Sequence, residues 1–181
     1  NSQNQIKVRD FYPEPSDISD IIMEFYTHSE KENDFAANYP VYSTATLDLC
    51  RERMASLDGQ IDAADAAGDA DLVTFLISAQ DEWLKKEKAI QLLIAQTGIT
   101  ELREIDKQAH IKIVVQKETT YGIYTQIHNE IEEALNTLKN KKCKELFGES
   151  YTHMKFRYNQ NPDENPEDKP KIDLINILYP G

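Results

Sequence analysis

The stretch Ala109-His110-Ile111-Lys112-Ile113-Val114-Val115-Gln116-Lys117-Glu118-Thr119-Thr120-Tyr121-Gly122 decides how this chain is read. Ala109 to Gln116 is rich in β-branched residues and nearly continuous in apolar character. Such a run fits a central strand covered on both faces. The pattern then changes, and Thr119 or Thr120 offers a helix N-cap. Beyond it Tyr124, Ile127, Ile131, Leu135, Leu138 and Leu146 recur at helical spacing until Phe147-Gly148. Lys139, Lys141, Lys142 and Lys144 crowd the C-terminal half of this helix, where its dipole favours positive charge.

Towards the N-terminus, Leu102 lies in a helical turn or connector, and before it stand two long helical patterns. Leu47, Cys50, Met54, Leu57 and Ile61 form the first stripe, which runs out in the alanine-rich segment ending at Gly68. Gly68 suits a helix C-terminus, and Asp69 or Asp71 suits the next N-cap. Leu72, Phe75, Leu76, Ala79, Trp83, Ile90, Leu93 and Ile94 form the second stripe, closed by Thr97-Gly98. Residues 46–98 are therefore expected to make an antiparallel helical hairpin. Ahead of it lie a polar loop from Glu30 to Ser43 and a helix from Asp17 to Ser29 carrying Ile18, Ile21, Ile22, Phe25 and Tyr26. Ile6 and Val8 alternate with Lys7 and Arg9 in a short strand stopped by Pro13 and Pro15.

Towards the C-terminus, residues 149–158 are mixed, and Asn159 to Pro170 reads as an exposed loop. Lys171 to Tyr179 reads as a final strand ending at Pro180-Gly181. The expected fold is α+β: one domain over 1–181, a small β-α-β-α-β two-layer sandwich with the 46–98 hairpin inserted. The final strand is apolar on both faces, so it fits the middle of its own sheet. At a sheet edge its unpaired backbone would instead invite a strand from a partner.

Length and charge set outer limits. The 181 residues suit one domain, and 20 Lys+Arg against 32 Asp+Glu give a net charge of -12. Phosphate backbones and anionic membrane surfaces are poor partners for such a chain, so nucleic acid is not expected. No apolar run reaches the length of a membrane span, and no signal peptide is visible. The first residue is Asn rather than Met, so the sequence reads as a processed or truncated piece. Two cysteines, Cys50 and Cys143, are too few for a disulfide scaffold and leave room for one bridge.

Chemistry-bearing patterns are sparse. Asp62, Asp65, Asp69 and Asp71 lack the alternation, glycine and terminal glutamate of a calcium loop, and a helix end followed by a cap accounts for them. His128 and Glu132 share a helix face but have no third ligand near in sequence. Lys142 and Lys144 flank Cys143, an arrangement that lowers a thiol pKa, yet no histidine partner is evident. Trp83 falls on the hairpin's apolar stripe and reads as core. No Gly-rich phosphate loop or nucleophile elbow occurs. Neither an enzyme nor a cofactor is expected.

The segment Ile111 to Gly122, continued by Ile123-Tyr124-Thr125-Gln126-Ile127-His128-Asn129-Glu130-Ile131, resembles the strand-turn-helix of the ExbD/TolR biopolymer-transport family, especially its Bacteroidetes form. Asn129-Glu130-Ile131, Ala134-Leu135-Asn136-Thr137-Leu138 and Leu146-Phe147-Gly148 match steps of the family's helix. Asp17-Ile18-Ser19-Asp20 and Tyr39-Pro40-Val41 resemble its first helix and the following loop. The hairpin has no counterpart there, and Lys117-Glu118-Thr119 replaces an Asp-Arg-Gly-like turn. The resemblance implies the periplasmic domain of a single-pass inner-membrane protein. It would work in a complex that passes proton-motive force to outer-membrane transport. Implied partners are a second copy, an ExbB/TolQ-like membrane protein reached through a transmembrane helix outside this sequence, and a TonB/TolA-like protein. On this reading Ile172, Leu174, Ile175, Asn176, Ile177 and Leu178 form the strand that pairs with a partner or across the dimer.

Overall fold

The structure is a computed structural model that describes residues 12–31, 42–105, 114 and 120–180. A 3-10 turn, Pro15–Asp17, opens into α1, Ile18–Lys31. Next come β1 (Tyr42–Thr46), α2 (Leu47–Ala66), α3 (Ala70–Thr97), β2 (Glu101–Ile105), α4 (Tyr121–Phe147), α5 (Tyr151–Gln160) and α6 (Asp168–Leu178). The fold is thus mixed α+β, mostly helical, with one two-stranded antiparallel sheet among the described residues.

The helical hairpin stands where its stripes place it. Thr46 caps α2 by accepting from the Leu49 amide at 3.2 Å, and Asp69 caps α3 by accepting from Leu72 at 3.0 Å. Gly98, with φ 75°, ends α3, and its N–H donates to the Ile94 carbonyl at 2.8 Å. Gly148 ends α4 the same way through Lys144, at 3.0 Å.

Two expectations change at the hairpin's root. The segments read as the end of a loop and as a helical connector are strands, paired as Tyr42↔Ile105, Ser43↔Glu104, Thr44↔Arg103, Ala45↔Leu102 and Thr46↔Glu101. Their identity comes from each other, because neither alternates strongly alone. The hairpin is also no appendage to a separate core. Cys50, Ala89, Ile90 and Leu93 are buried in one cluster with Ala45, Leu102, Cys143, Leu146, Tyr151, Met154, Ile172, Leu174 and Ile175. A second cluster holds Ile18, Ile22, Tyr26, Ile105, Ala134, Leu138 and Tyr179. The ribbon lies between them. Its Ala45–Leu102 pair faces the first cluster, and Ile105, with Tyr42 packed alongside, faces the second. Helix α4 spans both, with Ala134 and Leu138 in one and Cys143 and Leu146 in the other.

The C-terminal reading is corrected outright. Asp168–Leu178 is helix α6, not a strand, and Tyr151–Gln160 is helix α5. A short run apolar on two faces fits a strand or a buried helix equally, and periodicity cannot separate them. Pro170, taken as the end of a loop, sits in the first turn of α6, where its missing N–H breaks no hydrogen bond. Lys169 and Asp173, one turn apart, pair at 2.6 Å along the outside of the helix. The strands expected at 5–11 and 109–116 lie outside the described residues, save Val114, which is exposed and in no regular element.

Candidate interaction surface

Packing accounts for most of the residues expected to meet a partner. Leu174 and Ile175 are fully buried, Ile172 nearly so, and Ile177 and Leu178 pack partly buried against the same cluster. As a helix, α6 keeps its backbone bonds to itself, so these residues present no open strand edge. Asn176 is a connector. Its Oδ1 accepts from Lys139 Nζ at 3.0 Å and from the Tyr151 hydroxyl at 2.8 Å, tying α4, α5 and α6 together. Lys139 is buried, and burial, reinforced by nearby Lys155, pushes its pKa below the ordinary lysine range. Both ammonium groups lie over the Tyr151 ring, 5.4 and 5.7 Å from its centre.

A second polar clamp went unread in the sequence. Arg157 reaches Asp168 through Nε and Nη2 at 2.8 and 2.6 Å, and Glu149 through Nη1 and Nη2 at 3.1 and 3.2 Å. Asp168 is fully buried, so the guanidinium supplies its counter-charge. These bonds, Asp168 first and Glu149 second, raise the Arg157 pKa further. No local pattern links residues 149, 157 and 168. Only the fold of α5 against α6 does.

The thiols are quiet. Cys50 and Cys143 are both free and buried. Burial, then Glu149, pushes the Cys143 pKa up to about 11, with Lys171 opposing. The flanking lysines do not activate it, and Lys142 pairs instead with Glu145 at 3.1 Å. His128 lies edge-on to Tyr124, ring centres 4.4 Å apart. Among the described residues no group of three His, Cys, Asp or Glu side chains converges to hold a metal. Trp83 packs partly buried against the first cluster, with Lys86 Nζ 4.5 Å from its ring centre. That same ammonium pairs with Glu104 at 2.6 Å, joining α3 to β2.

What remains uncovered is the distal half of the hairpin. Helix α2 lays Met54, Leu57, Ile61 and buried Ala64 on one stripe, and α3 buries Leu76. Yet Phe75 is 68% exposed, Leu72 42%, Ile77 45% and Leu84 38%. Phe75 and Leu72, one turn apart, share one side of α3, whereas Ile77 and Leu84 lie on another. Comparison with protein-family models, with curated proteins and with solved structures finds no match.

Proposed function

We propose that this chain is the periplasmic domain of an ExbD/TolR-like component of a proton-motive-force-driven complex, dimerising and binding a TonB/TolA-like partner for outer-membrane transport. The observation that supports it is the stretch from Thr120 to Gly148. The residues that resemble the family's helix form one continuous helix, with Thr120 at its N-cap and glycine in the left-handed conformation at its end. Helix α1 begins at Ile18, within the other resembling segment, and packs on α4 through Ile18, Ile22, Ala134 and Leu138. In this reading the domain dimerises and takes a strand from its TonB/TolA-like partner. Helix α6 takes no part in the pairing. No helix among the described residues is long and apolar enough to cross a membrane. The resemblance implies a proton-relay aspartate on a transmembrane helix outside this sequence.

Sedimentation of the purified chain, alone and with the periplasmic domain of a TonB-like protein, tests the proposal. A dimer that binds that domain saturably is the expected result. A monomer that does not bind at any concentration it tolerates overturns it.

One observation favours a second reading, a helical-hairpin adaptor: the exposed Leu72–Phe75 pair on distal α3. The readings part on the hairpin tip. An adaptor loses its partner when the tip is cut away, whereas the transport module keeps both dimer and partner strand.

A further inference from the structure

We propose that the distal hairpin is a docking face for a basic amphipathic helix of another protein. The inference rests on the hairpin alone and holds under either reading above.

The first observation is an interrupted stripe. Leu93, Ala89 and Lys86 lie three and four residues apart on α3 and are buried at its root. Continued at the same spacing towards the tip, the stripe passes Glu82, Ala79, Phe75 and Leu72. Ala89 and Leu93 share the cluster that α6 fills, whereas Phe75 and Leu72 stand open. A stripe with alternating three- and four-residue steps is what one helix offers another, its ridges fitting the neighbour's grooves. The backbone of α3 is already bonded within the helix, so a strand finds no edge there. A third helix laid beside α3 completes a three-helix layer, the helix-in-groove mode of recognition.

The second observation is charge. Between Arg53 and Lys85 the sequence has seven acids (Asp58, Asp62, Asp65, Asp69, Asp71, Asp81 and Glu82) and no lysine, arginine or histidine, though Lys85 itself pairs with Glu82 at 2.7 Å. Asp71 stands one turn from Phe75 on its exposed flank. A second copy of this hairpin would bring the same negative charge against it, which disfavours self-association. A partner helix with Leu or Phe on one side and Lys or Arg beside them meets both the apolar stripe and the acidic border.

The test uses the full chain and a fluorescent Leu/Lys amphipathic peptide about six helical turns long. A peptide of the same composition in shuffled order and a Leu/Glu counterpart serve as controls. Saturable binding to the first, at least tenfold weaker binding to the shuffled peptide and none to the acidic one are expected. Phe75→Glu discriminates further, because it removes apolar contact while adding negative charge. It is expected to weaken the Leu/Lys peptide at least tenfold, whereas Phe156→Ser, at an exposed aromatic on α5, leaves binding unchanged. Equal binding of the shuffled peptide, or unchanged binding by Phe75→Glu, overturns the proposal, since charge alone would then be responsible. A hairpin-dependent dimer, detected as dissociation by Phe75→Glu in sedimentation, overturns it too, by making a second copy the occupant.

Discussion

Cys143 and Lys139 lie one turn apart on α4, and burial moves their pKa values in opposite directions, because it disfavours whichever form carries charge. For the thiol, the folded value of about 11 lies above the ordinary 9.0, so the unfolded chain ionises first. The stability this thiol supports is intact below pH 9.0 and drains away as pH rises through about 11. Cys143 in the folded protein is therefore expected to resist a thiol-specific disulfide reagent at mildly alkaline pH and to react at once in denaturant. Cys143→Ser, which buries a hydroxyl instead, costs about 1–3 kcal/mol in urea unfolding. For Lys139 the folded value lies below the ordinary 10.5, so the charged form is penalised at neutral pH. That penalty is relieved as pH climbs through the depressed value towards 10.5. Lys139→Met keeps the packing and removes the buried charge. With the lost bond to Asn176 set against it, a gain of up to about 1 kcal/mol is expected at neutral pH. Urea midpoints at a series of pH values should show that gain shrinking in the alkaline range.

Among the helices and strands, α6 shows how far local pattern reaches. Its apolar residues suit two geometries, and what selects the helix is the core that receives it: Leu174 and Ile175 against Met154, Ile90 and Cys143. The ribbon teaches the same lesson in reverse. Tyr42 and Ile105 are far apart in sequence, and no window around either contains the other. By contrast the hairpin's limits were readable almost to the residue, because caps and a left-handed glycine act within one turn of the helices they bound. Gly148→Ala forces a side chain into that left-handed conformation at φ 75° and is expected to cost about 1 kcal/mol, read from the urea midpoint. The clamp of α5 on α6 gives another comparison. Arg157→Met strands the fully buried Asp168 carboxylate, with only Lys171 left at 3.9 Å. It should lower the melting temperature far more than Lys169→Met, which removes an exposed pair worth about 0.3–0.5 kcal/mol.

For the molecule taken whole, the hairpin's root is part of the first cluster, shared with α4, α5 and α6. Removing 46–98 takes away Cys50, Ala89, Ile90 and Leu93, together with the Lys86 partner of Glu104. That deletion is expected to yield an unfolded or aggregating product by circular dichroism. Cutting higher should be harmless to the fold. Gln80 bonds Asp58 across the hairpin, so replacing residues 58–80 by a short Gly-Ser loop leaves the root intact. A cooperative thermal transition is the expected result. The sequence conveyed the helices with strong periodicity and the acidic balance. It did not convey that Ile172 to Leu178 is a helix, because that segment's apolar residues satisfy themselves in the core. Phe75 and Leu72 have the same composition as a buried stripe, and only neighbours in space reveal that they are exposed.

From Ala70 to Trp83, which touches the first cluster, the distal part of α3 is roughly 20 Å long. It is joined to the body through a ribbon of five residue pairs whose two faces touch different clusters. A perturbation of that ribbon therefore reaches both clusters at once, through Leu102 on one face and Ile105 on the other.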